Sequence, residues 1–230
     1  MDSLEATRFD LRTTPLRDVN TALHAPNVTG DFVIENPSGA HNIAVGVNAP
    51  VKVCIAGHVG YYAAGMNQLA EVTIAGNVGT GVAENMMSGT VWVKGSASQS
   101  AGATAHGGLL VIEGDAAARC GISMKGVDIV VGGDIGHMSA FMAQAGTLVV
   151  RGNVGEALGD SIYEARLYVR GDVASLGADC VAKEMRGEHH DELGRLLKAA
   201  GFGDDDTAAY TRYGSARNLY HFHVDNTASY

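Results

Sequence analysis

Asp115, Asp134 and Asp172 share a step of 19 residues, or multiples of it, with His58, Asn77, Ser96 and Asn153. A row of carboxylates on one face is what acid–base hydrolysis of a polysaccharide would need. Asp and Asn are also favoured at tight corners, because their side chains bond nearby backbone. The row is therefore read first as corner chemistry and only second as a carbohydrate-active β-helix enzyme. His189, His190 and Asp191 stand together, and His221 and His223 alternate as on a strand. Neither group fixes a third ligand, so no metal site is assigned. Cys54, Cys120 and Cys180 are odd in number and far apart, which points to reduced thiols packed as small apolar residues. The GxxxxGK[ST] phosphate cradle is absent. No catalytic, cofactor-binding or metal residue is assigned to the chain.

The elements that would position such residues follow from the glycines. The chain has 230 residues, 31 of them glycine and only 4 proline, so neither a linker nor a collagen explains the excess. Gly57, Gly76, Gly95, Gly114, Gly133, Gly152 and Gly171 form one column at a period of 19. Four residues earlier stand Val53, Val72, Val91, Leu110, Ile129, Leu148 and Leu167; two earlier, Ile55, Ile74, Val93, Ile112, Val131, Val150 and Val169. Two residues after each glycine comes another apolar column, Val59 through Val173. Short alternating strands ending in a glycine corner, repeated at this period, predict an all-β parallel β-helix whose coils stack about 4.8 Å apart. The corner glycines are expected there for close approach of neighbouring coils and for φ above zero. A step of 19 is not a multiple of six, which favours a right-handed solenoid over the left-handed hexapeptide kind.

Three regions result: 1–50 as an N-terminal cap with irregular first coils, 51–180 as seven coils, and 181–230 as a helix and a partner-binding tail. Phe32 and Ile34 mark an early coil, and Thr14–Pro15 reads as the N-cap and first residue of a short helix carrying Leu16, Val19 and Leu23. Residues 183–201 place Leu193, Leu196, Leu197 and Ala200 on one helical face and end at Gly201. The caps at both ends argue against an open filament.

One column faces outward yet is apolar: Trp92, Val111, Val130, Val149 and Tyr168, about 19 Å of stripe at coil spacing. Either the Leu193–Leu197 helix or a partner subunit must cover it. The aromatic tail, with Tyr213, Tyr220 and Phe222, is expected to pack along the solenoid or on another subunit. A formal net charge of −9 leaves no basic field for nucleic acid, and no apolar run approaches the length that spans a bilayer. A cytoplasmic protein is expected.

The unit "VTIAGNVGTGVAENMMSGTVWVKG" resembles the GXGXG repeat of the C-terminal β-helix domain of glutamate synthase large subunits. "GSASQSAGA" is similar to that family's G-x-A-G-Q-S-F-G-A, with Ser98 replacing a glycine and Ala101 an aromatic residue. "GDSIYEARLYVRGDVASLG" and "RYGSARNLYHFHVDN" resemble the stand-alone subunit of N-methylglutamate synthase, methylamine–glutamate N-methyltransferase. The C subunit of formylmethanofuran dehydrogenase resembles the repeat too, and the tail favours the first family. The resemblance implies a noncatalytic structural subunit bridging an amidotransferase-like chain and an FMN-domain glutamate-synthase-like chain. FMN and an iron–sulfur cluster would then belong to the partners, with no cofactor in this chain.

Overall fold

The computed structural model describes residues 6–219. Nine strands run in parallel, each pairing with the next in sequence: β1 (Thr7–Asp10), β2 (Asp31–Glu35), β3 (Lys52–Ala56), β4 (Glu71–Ile74), β5 (Thr90–Val93), β6 (Leu109–Ile112), β7 (Lys125–Val131), β8 (Ala145–Val150) and β9 (Arg166–Val169). Their registers are those of the repeat: Val53 faces Val72, Ile74 faces Val93 and Leu148 faces Leu167. The second apolar column forms its own ladder of single parallel bridges from Val59 to Val173. Both columns line one continuous core in which Ile55, Ile74, Leu110, Ile129 and Leu148 are fully buried. No helix interrupts residues 51–177. The parallel ladder begins before them, because β2 buries Phe32 and Ile34 on the coil that β3 follows.

The corner glycines have a different cause from half of the one expected. Only Gly57 of the seven has positive φ, at 148°. The other six are required by space. A Cβ on Gly152 would lie 2.2 Å from Asp134 Oδ1 and 2.5 Å from the carbonyl carbon of Gly133, one coil back. Left-handed backbone falls instead on three alternate positions of each coil, many of them not glycine: Tyr62, Ala64 and Met66; Gly81, Ala83 and Asn85; Met138, Ala140 and Met142. The hydrogen bonds explain the alternation. Gly81 and Asn85 donate forward to Gln99 O and Ala103 O, while Ala83 between them donates back to Ala63 O. Each turn is thus bonded to both neighbouring coils, which offsets the roughly 1–2 kcal/mol that a left-handed residue with a Cβ costs.

Helix α1 (Leu16–Leu23) closes the first coil. Pro15, not Thr14, occupies its N-cap position, and no side chain caps the helix. Val19 and Leu23 are buried as expected. Asn20 stands in for a preceding coil, accepting from Ala44 N at 3.0 Å and donating to Asn42 O at 2.8 Å. At the far end β10 (Cys180–Lys183) and β11 (Thr211–Ser215) join in antiparallel fashion, in the order β9, β11, β10. Tyr213 pairs with Leu167 and packs half-buried against the core, so this part of the tail completes the sheet. Tyr220, Phe222, His221 and His223 lie outside the described residues. Cys120 and Cys180 are buried free thiols whose pKa burial pushes up to about 12, but Cys54 is exposed on β3.

Gly152→Ala should lower stability by about 1–3 kcal/mol in thermal or urea unfolding, because the new methyl meets backbone that cannot retreat. Gly187→Ala, where nothing lies within 4 Å, is the control and should be neutral or slightly stabilising.

Candidate interaction surfaces and the polar columns

The corner row forms a hydrogen-bonded ladder. Asn77 N donates to His58 Nδ1, Ser96 N to Asn77 Oδ1, and Asp115 N to Ser96 Oγ. Asp134 N then donates to Asp115 Oδ1, Asn153 N to Asp134 Oδ1, and Asp172 N to Asn153 Oδ1, at 2.6–3.0 Å. Each side chain is therefore an acceptor for the next coil, which is why the column admits His, Asn, Ser and Asp alike. The same contact explains the glycine beside it, since the acceptor atom fills the space a Cβ would take. Asp115 and Asp134 are spaced by coil stacking, and the Oδ1 of each accepts a backbone N–H from the next coil.

The outward stripe is not a free surface. Helix α2 (Gly187–Ala199) lies over it, and Leu193, Leu197, Ala200 and Tyr210 bury Val111, Val130, Val149 and Tyr168 completely. Trp92 is half-buried at the edge of this second core, with Leu196 and Phe202. The assignment of Trp92, Val111, Val130, Val149 and Tyr168 to a partner interface is therefore corrected: the chain's own helix takes that place. The helix begins four residues later than position 183, because 180–183 form β10. Its last turn is capped by Ala200, and Gly201 follows at φ +80° against the Trp92 ring.

Polar contacts fasten the helix and the segment after it. Arg151 makes a two-pronged contact to Asp205, Nε to Oδ2 at 2.7 Å and the terminal nitrogen to Oδ1 at 2.9 Å, while its guanidinium stacks 4.0 Å from the Phe202 ring. Arg170 and the Tyr210 hydroxyl also donate to Asp205. Arg151 is the main cause holding the Asp205 carboxyl below the ordinary carboxylate range; burial opposes it. Midway along α2, Glu192 accepts from the Tyr168 hydroxyl at 2.6 Å, and Arg166 pairs with the same carboxylate. Burial and Glu192 together raise the Tyr168 pKa. Glu113 accepts from Trp92 and Lys94; burial raises its pKa, but these two bonds prevail and lower it. Sequence reasoning missed Arg151, Arg170 and Asp205. The signal available was the column just before the corner glycine, which turns from Ala56 and Ala75 to Lys94, Glu113, Gly132, Arg151 and Arg170.

His189 Nδ1 accepts from Arg186 N at the start of α2, and His190 Nδ1 meets Thr207 Oγ1. Both histidines thus serve the helix and its connection. Among the described residues no group of three or more His, Cys, Asp or Glu is placed to hold a metal ion. None of the described helices is long and apolar enough to cross a membrane. Large exposed apolar side chains gather in the turns after β3 and β4: Tyr61, Tyr62, Met66 and Leu69 after β3 and Met87 after β4, each about half exposed. Tyr61 stacks on His41 at 4.5 Å and packs edge-on to Tyr62, so the ring pair is held in place.

Two substitutions separate these contacts. Asp134→Asn keeps an acceptor and should leave stability unchanged, whereas Asp134→Ala should cost about 1 kcal/mol in urea unfolding. Asp205→Asn should cost about 1.5–3 kcal/mol. Because the folded Asp205 pKa is depressed, its contribution is full above the unfolded value of about 3.9 and is lost as pH falls through the folded value. Unfolding measured from pH 7 downward should show a shallower acid loss in the variant.

No family model matches the chain, and no solved structure matches it. Protein GlxC of Rhizobium meliloti (strain 1021) is 58% identical over 225 residues, covering 96% of this chain and 99% of that protein. At this identity and coverage the chain belongs to the same family as GlxC.

Proposed function

We propose that this chain is a noncatalytic structural subunit of a glutamate-synthase-like complex of the N-methylglutamate synthase kind. In that complex methylamine and L-glutamate would give N-methylglutamate and ammonia. The chain bridges an amidotransferase-like subunit and an FMN-domain subunit, which carry the active sites, the FMN and the iron–sulfur cluster, in the cytoplasm. The observation that carries this reading is the use of the corner ladder: Asp115 and Asp134 each accept a backbone N–H from the next coil at 2.9 and 2.6 Å. A polar row spent on holding coils together suits a rigid spacer better than a hydrolase. The exposed cluster around Tyr61 and Tyr62 suits a surface that meets another chain. Membership of the GlxC family agrees with the resemblance to stand-alone glutamate-synthase β-helices.

Affinity purification from the native host is the test. An amidotransferase-like chain and an FMN-domain chain should be recovered together with this one, and the separated chain should show no flavin absorbance. Recovery of the chain alone, or with a molybdenum or tungsten subunit as in formylmethanofuran dehydrogenase, would overturn the reading. Tyr61→Ser combined with Tyr62→Ser should reduce partner recovery at least several-fold while the thermal midpoint stays within a few degrees.

A further inference from the structure

Where β9, β11 and β10 meet, positive side chains gather on the outer face of a chain whose net charge is −9. Lys183 and Arg212 are register partners on antiparallel strands, directly opposite each other. Arg212 also pairs with Tyr168, and the same register sets Arg166 opposite Gly214. All three cations therefore stand on the face that α2 covers farther along. Gly214 leaves the floor open between them: a Cβ there would approach the Lys183 stem at 3.8 Å. His189, from the first turn of α2, forms another wall, and the half-open cleft has a volume of about 380 Å³.

Like charges placed directly opposite on neighbouring strands repel, and such a pair persists most easily with a counter-charge. Arg166 has one in Glu192 at 2.8 Å, and Arg217 on the rim has Glu164 at 2.9 Å. Lys183 and Arg212 do not share this arrangement. Arg212 Nε donates to the carbonyl of Glu184, and among the described residues no carboxylate forms an ion pair with either side chain. Both are half-buried, where water screens them less than at an open surface. The positive field reaches the adjacent ring: burial first, and Arg212 next, lower the pKa of His189.

We propose that this cavity is a binding site for a phosphate-class dianion, held between the Lys183 ammonium and the Arg212 guanidinium above Gly214. The planar guanidinium supplies paired donors to two oxygens, and the ammonium supplies a compact charge. Two cations with no ion-pair partner among the described residues match a doubly charged group better than a single carboxylate. The dianion is free orthophosphate or the phosphoryl group of a small molecule. The site is independent of the bridging role, since the separated full-length chain tests it without any partner.

Isothermal titration of the full chain with orthophosphate, and in parallel with glycerol phosphate, at low ionic strength separates the two sources. Saturable one-to-one binding of either is expected. It should weaken at least tenfold in Lys183→Ala combined with Arg212→Ala, and less in Arg212→Lys. Arg8→Ala with Lys52→Ala, exposed cations at the other end of the solenoid, should leave it unchanged. Lys183→Ala alone provides the reading should the double variant unfold, and should weaken binding at least several-fold. Absence of saturable binding by both ligands, or equal affinity in the folded Lys183 variants, would overturn the proposal.

Discussion

Nothing in a single coil of this protein can stand alone, because its inner face is one strand and a turn with no partner for their backbone groups. The stack supplies the missing partners at a fixed offset of 19 residues, and the corner ladder states that offset in side-chain chemistry. A short polar side chain can accept from the backbone N–H of the next coil only while the coils remain in register. The neighbouring glycine leaves the path clear. The strand columns, the bridge ladder from Val59 to Val173 and the left-handed turns all repeat in step with it. Register is thus fixed by polar and apolar columns together, and slippage by one residue would break both.

The second core depends on the first. Val111, Val130, Val149 and Tyr168 can form a flat stripe only because the coils are spaced evenly, and α2 can bury that stripe only because it is flat. The contacts at Glu192, midway along the helix, and at Asp205, just beyond it, then hold the helical segment to the sheet. Wherever this protein meets a partner along that side, the partner encounters the outer face of α2.

The strands and columns were legible in the sequence because inward residues in a solenoid must be apolar at every repeat, and a strict period makes that visible. The corner glycines were legible in position but only partly in cause. Close packing against Asp134 or Asn153 is not written in the glycine itself, and the φ argument belonged to Ala64, Ala83 and Met142, whose side chains disguise their conformation. In no coil do three glycines stand at alternate positions, although alternate left-handed residues recur in each. The apolar stripe was legible as a surface needing cover, yet its cover was left open between the chain's own helix and another subunit. The cover is the apolar face of α2, fastened by the Arg151–Asp205 contact across 54 residues; Arg151 lies in a periodic column, but its partner lies beyond the repeat and leaves no periodic trace. The pairing of Lys183 with Arg212 escaped notice for the same reason, since it depends on two antiparallel strands after the repeat has ended.

The lid over the stripe is encoded after the surface it protects. As the protein emerges from the ribosome, the coils can wind one upon another from the first, each templated by its predecessor. Trp92, Val111, Val130, Val149 and Tyr168 are then laid bare until translation has passed α2. During that interval the nascent rod carries a sticky flank that its finished form conceals. Slow synthesis between β9 and the end of α2 would lengthen this exposure, so the timing of translation bears on the yield of folded protein.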